Sequence, residues 1–288
     1  MRILIVPKKS KLQWDMDRLG FAAGKLLAKY RREGLDAARI LASHERQMRA
    51  LSRICGVVPG TPVVPQEKLS RAVVARADLI VALGGDNHFQ YVSQFVQNEV
   101  MAGVNSDPVL SEGSLTRLTP QTLVVTLDRI VRSRVRIEKW TRLAVVLNGK
   151  RLNALALSEV FLGEAARCQM SRYRISVGGR SELQKCSGLI AATGAGSSGW
   201  YDAAGRYLFA RSSRFSKTKR SLRFLATEPF HGRLSKASML NGSVSRLKVR
   251  SMNDSRGVIV IDTQLEYPFP EGSEAVISLG MPLKVLIP

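Results

Sequence analysis

The chain has 288 residues, enough for one large domain or two ordinary ones, and its 45% hydrophobic and 23% charged make-up is that of a globular protein. Lys and Arg outnumber Asp and Glu by 44 to 23, a formal charge of +21 that draws anions: nucleic acid, acidic membrane or phosphorylated small molecules. Three cysteines with no CxxC pair argue against a disulfide framework or structural zinc and fit a reducing compartment, with the cytoplasm expected; no apolar run is long enough to span a membrane, and no export signal is evident.

The first half alternates strand-like and helix-like stretches. Residues 3–6 predict a buried strand, and the spacing of Met16, Leu19, Ala23, Leu26, Leu27 and Tyr30 predicts a helix over 15–33 with Gly34 at its end. A second helix follows from Leu35 and closes before Gly56. Val63-Val64 and Asp78–Ala82 read as further strands joined by a helix over 66–76. Strands alternating with helices predict a parallel sheet. From about Arg134 the pattern changes to short strands and turns, among them 142–147 before the hairpin signal Asn148-Gly149, then 154–162, 257–262 and 275–279. The expected organisation is an α/β domain over 1–120 and a β-rich domain over 121–288. Basic residues crowd between Arg206 and Arg250, where Glu228 is the single acid, and Arg211–Arg220 reads as an exposed basic loop.

Four segments carry candidate chemistry. Gly84-Gly85-Asp86-Asn87-His88 follows a predicted strand and opens a predicted helix, so backbone N–H groups could cradle phosphate beside the Asp86 carboxylate. A plain turn capped by Asp86 accounts for it equally well. Gly103–Pro108, with Asn105, reads by itself as an Asx and proline turn. In Ala156–Glu164, strand alternation sets Glu159 inside an apolar strand, where it needs a partner: a ribose hydroxyl or an arginine. Thr193–Trp200 runs through three glycines to an aromatic, a loop able to wrap a ligand and stack a ring on Trp200. The three histidines lack metal-ligand spacing, and no metal site is expected; GxSxG, Walker A and GxGxxG patterns are absent.

Taken in order, these segments resemble the NAD kinases, particularly their mitochondrial-type branch, across most of the chain. The family's GGDGT loop stands here as Gly84-Gly85-Asp86-Asn87-His88, its GVNTDP-like stretch as Gly103–Pro108, its Asn-Glu pair as Ser158-Glu159, and its TGTGSxAW-like loop as Thr193–Trp200. Glu228-Pro229-Phe230 and Ile261-Asp262-Thr263 look like later landmarks. The resemblance implies a Rossmann-like N-terminal domain and a β-rich C-terminal one, as in the NAD kinase and diacylglycerol kinase fold. It also implies a phosphotransferase: ATP, with Mg2+, phosphorylating the 2′-hydroxyl of the NAD adenosine ribose to give NADP. By the same carry-over, Asp86 would take the hydroxyl proton, and Gly84, Gly85, Asn87 and His88 would face ATP phosphates. Asn105, Ser158, Glu159, Thr193, Ser198, Gly199 and Trp200 would hold the dinucleotide, the last three at its adenine end.

Three positions depart from the family pattern. Asn87 replaces a glycine, His88 a threonine, and Ser158 an asparagine. They leave open an NAD(P)-binding regulator without turnover, or a kinase for another hydroxyl substrate such as a lipid. RNA binding lacks a supporting aromatic motif. Nucleotides are the expected partners, and a homodimer the expected assembly.

Overall fold

The computed structural model describes residues 1–131, 135–206, 208, 213–232 and 237–288, without the side chains of 128–131. The chain forms two compact units, one of residues 1–138 with 284–288, the other of residues 139–283.

In chain order the elements are β1 (Ile3–Pro7), α1 (Lys11–Leu19), α2 (Ala23–Arg32), α3 (Ala37–Val57), α4 (Arg71–Val74), β2 (Leu79–Gly84), α5 (Asp86–Ser93), β3 (Val100–Asn105), α6 (Pro120–Val131), β4 (Arg136–Trp140), β5 (Leu143–Leu147), β6 (Lys150–Ala156), β7 (Glu159–Glu164), β8 (Ser171–Val177), β9 (Arg180–Cys186), β10 (Gly188–Ala192), α7 (Trp200–Gly205), β11 (Leu222–Thr227), β12 (Asn241–Val244), β13 (Arg246–Ser251), β14 (Gly257–Ile261), β15 (Leu265–Pro268), β16 (Glu274–Leu279) and β17 (Leu283–Ile287).

The first unit is built on a five-stranded sheet in the order β1-β2-β3-β17-β4, with β1, β2, β3 and β17 parallel. Every residue of β2 is buried, as a central parallel strand requires. The helix expected over 15–33 is two helices: Gly20 at φ 66° ends α1, and Ser10 opens it through a capping box with Gln13. The second helix also differs, α3 running through Gly56 to Val57. Val63 makes only an isolated bridge to Ile5, and 66–76 holds a 3-10 turn and the four-residue α4.

The divide between the units also differs from one at residue 120. Helix α6 packs on α3 and β3, and β17 pairs with β3, so both belong to the first unit. Turn signals alone could not reveal that the last strand returns to the first sheet.

The second unit holds two six-stranded antiparallel sheets, β12-β11-β10-β7-β14-β15 and β6-β5-β16-β13-β8-β9. One core draws on both: Val160, Leu162 and Ile259 from the first, and Val145, Val249 and Ile277 from the second. The alternation of β13, buried at every second residue, supplies its share of that core. The hairpin expected at Asn148-Gly149 is present between β5 and β6, with φ 49° and 79° at its two residues.

Candidate functional site

The sequence candidates fall into one group in each unit. In the first, β2 ends at Gly84, where a Cβ would stand 2.8–2.9 Å from His88 and Lys8 carbons, so only glycine fits. Gly85 then opens α5, and Asp86 is its first residue. An acid there complements the helix dipole. Its Oδ1 accepts three hydrogen bonds, from Leu115 N at 2.9 Å, Thr116 N at 3.0 Å and Thr116 Oγ1 at 3.1 Å. Those contacts tie the β2–α5 turn to the segment after β3.

That segment is held from its other side by Asn105. Its Nδ2 donates to Ser111 O at 2.9 Å, and its Oδ1 accepts from Asp107 N at 3.1 Å. Asp107 is gripped in turn by Arg46, Nε to Oδ1 at 2.6 Å, and by Ser43, Oγ to Oδ2 at 2.6 Å. The amide of Asn105 is thus committed to the loop it shapes. A cavity of about 340 Å³ opens here, lined by Lys8, Gln47, Asp86, Asn87, Ser106 and Ser111 among others.

Asn87 and His88, both expected to face ATP phosphates, are placed differently. Asn87 is exposed within α5 and is not among the residues at positive φ, so the glycine it replaces is not needed for a left-handed conformation. The His88 ring is buried beneath the loop, its Nε2 donating to Val6 O at 2.8 Å. Burial outweighs that bond and lowers its pKa to about 4. The ring is neutral at physiological pH and is occupied as a structural donor, so it does not supply the titratable phosphate contact expected of it.

In the second unit, Leu157 and Ser158 link β6 to β7, and Glu159 opens β7. Thr193 N donates to Ser158 O at 2.8 Å, and the Thr193 hydroxyl donates to Leu157 O, bringing the glycine loop onto this link. Gly196 has no room for a side chain: a Cβ would lie 2.3 Å from Ser158 O and 2.9 Å from Glu159 Oε2. Gly194 is similarly closed by Ser216 O. Ser198 and Gly199 lie at the outer end of this loop, half-buried and exposed, in the turn that leads into α7.

Glu159 is buried, and among the described residues no arginine pairs with it. Burial, and after it the charge of Asp262, pushes its pKa up to about 8. Strand alternation puts Phe161 on the same face as Glu159, and Trp200 stacks on Phe161 with ring centroids 5.1 Å apart. The Arg167 guanidinium lies 5.4 Å from the Trp200 centroid. Trp200 therefore already has protein partners and bounds a cavity of about 250 Å³ with Phe161, Glu164, Arg167, Val260 and Glu266.

Two features escaped the sequence reading. Asp262, in sequence only a landmark without a role, has a buried carboxylate that accepts the N–H groups of Leu157, Ser158 and Glu159. The basic loop also does more than meet solvent. Arg211 and Ser212 lie outside the described residues, but Phe215 N donates to Ser197 Oγ at 3.1 Å and Ser216 abuts Gly194, so this stretch buttresses the glycine loop.

No family model matches the chain. It is similar to the NAD kinase of Thermoplasma volcanium, 26% identical over 205 residues that cover 71% of each protein. Human mitochondrial NAD kinase 2 is 25% identical over 254 residues, covering 69% of this chain and 57% of the human one. The chain is thus similar to NAD kinases over about 70% of its length. Solved NAD kinase structures share its fold. The Archaeoglobus fulgidus NAD kinase in complex with ATP matches with a TM-score of 0.65 and 20% identity over 99% of this chain and 93% of its own. Yeast NADH kinase complexed with NADH matches with a TM-score of 0.63 and 16% identity over 80% and 68%. The chain thus shares the α/β and antiparallel β architecture of those solved structures at low sequence identity.

Proposed function

We propose that the protein is a phosphotransferase that moves the terminal phosphoryl group of ATP to the 2′-hydroxyl of the NAD adenosine ribose, giving ADP and NADP. The observation that carries this reading is the ordered Asp86 turn at the mouth of a cavity, at the carboxyl end of the parallel sheet where α/β folds take their ligands. One carboxylate oxygen is fixed by three donors. The other, Oδ2, takes the proton of the 2′-hydroxyl as its oxygen bonds to phosphorus and the bond to the ADP oxygen breaks; the proton then passes to solvent. Gly84, Gly85 and the start of α5, with Asn87 exposed, receive ATP phosphates through backbone N–H groups. Magnesium accompanies ATP. Asp86 is the carboxylate that would meet such an ion beside the phosphates. The ion would neutralise phosphate charge.

Glu159 holds ribose hydroxyls. As a carboxyl with a pKa near 8 it can donate or accept across the neutral range. Asn105 and Thr193 shape their loops, while Ser158, Ser198, Gly199 and Trp200 line the dinucleotide. Among the described residues no helix is long and apolar enough to cross a membrane. A cytoplasmic homodimer is the form we propose. Incubating the protein with ATP, magnesium and NAD should yield NADP, and well-folded protein that makes none with any phosphate donor would remove this reading.

A second reading, dinucleotide binding without turnover, draws on His88, whose ring replaces a hydroxyl in the loop and is used elsewhere. It predicts NAD binding without NADP, with turnover gained in the Asn87→Gly, His88→Thr double variant.

A further inference from the structure

The turn after β14 breaks a local rule. Its central residues, Asp262 and Thr263, have φ of 50° and 57°, the left-handed pair of a type I′ turn, and Gln264 N closes it on Ile261 O at 3.0 Å. Left-handed backbone is costly for an L-residue, and a β-branched threonine suits it poorly. The chain makes the same φ pattern at Asn148-Gly149 with the residues that favour it. Asp262-Thr263 is therefore not explained by the turn itself.

What the conformation achieves is a carboxylate aimed at the β6–β7 link. Asp262 is fully buried; its Oδ2 accepts from Leu157 N at 2.8 Å, and its Oδ1 from Ser158 N at 2.8 Å and Glu159 N at 3.1 Å. Its own N–H returns a bond to Glu159 O at 3.0 Å. Three consecutive N–H groups at the one break between two core strands share one acceptor group. Bonds to a charged acceptor are stronger than those to a neutral one, and three of them together offset a strained turn.

We propose that Asp262 is a positioning residue for the phosphoryl acceptor: it clamps the Leu157–Glu159 link so that the Glu159 side chain stands fixed for the ribose hydroxyls, without touching the dinucleotide itself. This rests on the assignment of Glu159 to the ribose. The clamp has an electrostatic signature. Across from Glu159, β10 offers Ala192, the glycine loop offers Gly196, and the end of β14 offers Asp262, the charged group that acts on it. Removing that charge must make Glu159 easier to ionise.

The test uses the double variant Asp262→Asn, Thr263→Gly, which installs the favoured Asn-Gly turn and so keeps the hairpin, with Thr263→Gly alone as control. Two quantities are read: the NAD dissociation constant by calorimetry, and the Glu159 titration midpoint in the ligand-free protein by carbon-13 NMR. The control should match wild type in both. The double variant should bind NAD about tenfold or more weakly and titrate at lower pH. An unchanged midpoint, or wild-type affinity despite a lowered midpoint, overturns the clamp, as does a wild-type protein that does not bind NAD. NADP formation by wild type is assayed separately, so failed phosphoryl transfer with intact NAD binding strikes the reaction and not the clamp.

Discussion

Asp86 and Glu159 are both carboxyl groups at the junction of a strand with a glycine-rich turn, and the two units handle them in opposite ways. Asp86 is half-exposed, and three donors from one loop converge on one of its oxygens. Glu159 is buried, faces another carboxylate, and is raised to about 8. The first arrangement fixes an acceptor in place beside an open cavity. The second stores a proton in a dry place. The proposed phosphoryl transfer needs both a site that takes a proton and a site that orders hydroxyls, and under that proposal local donors and local burial would divide those tasks between two residues of similar chemistry.

The strongest way to break the comparison is Asp86→Asn. The amide oxygen still accepts from Leu115 and Thr116, so the fold should persist, while the proton acceptor is lost. NADP formation should fall about 10²–10⁴-fold, with the melting temperature little changed. Activity within a factor of a few of wild type would show that Asp86 only holds its loop.

Next is the pH dependence of stability. Glu159 has a folded pKa near 8 against an ordinary 4.5, so the stability it contributes is present below about pH 4.5 and is lost as pH rises to about 8. His88 has a folded pKa near 4 against 6.5, so its contribution is present above about pH 6.5 and is lost as pH falls to about 4. The two trends oppose each other between about pH 4.5 and 6.5. From pH 6.5 to 8 the loss from Glu159 stands alone and should lower the melting temperature of the ligand-free protein. Glu159→Gln should flatten that decline, and a decline that survives the substitution would mean Glu159 is not the group responsible.

Much of this was legible in the sequence. The apolar run of β2 before Gly84-Gly85, the Asn148-Gly149 hairpin and the Glu within an apolar strand all follow from spacing and residue type. The role of His88 was not legible, because its partner is the carbonyl of Val6, 82 residues away. Asp262 was hidden for the same reason: its three partners lie 103 to 105 residues earlier. Gly20 escaped because its apolar neighbours keep helical spacing through a break that only φ reveals. Local pattern reports the strand and the turn; it does not report which distant backbone group a polar side chain will meet.

His88→Thr sharpens the comparison on the Asp86 side. The residue type the resemblance expects here would remove the ring's bond to the Val6 carbonyl and leave a hollow under α5. A loss of about 1–3 kcal/mol is expected, read by denaturant unfolding. Equal or greater stability would mean that the loop can seat a hydroxyl in place of the ring.

The smallest effect lies on the Glu159 side, at Thr263→Gly. Threonine at φ 57° is strained, and among the described residues its hydroxyl bonds only the neighbouring Asp262 O at 2.6 Å. Glycine relieves the strain but frees the unfolded chain, so the two terms partly offset. The left-handed cost of about 1–2 kcal/mol exceeds glycine's roughly 0.5–1 kcal/mol entropy cost, so the net gain should be under about 1 kcal/mol, or a few degrees in melting temperature. Asp262 keeps its three donors in this variant, so the pH at which Glu159 titrates should not move. A destabilised Thr263→Gly protein would mean that the threonine side chain, and not the carboxylate beside it, sets the shape of the turn.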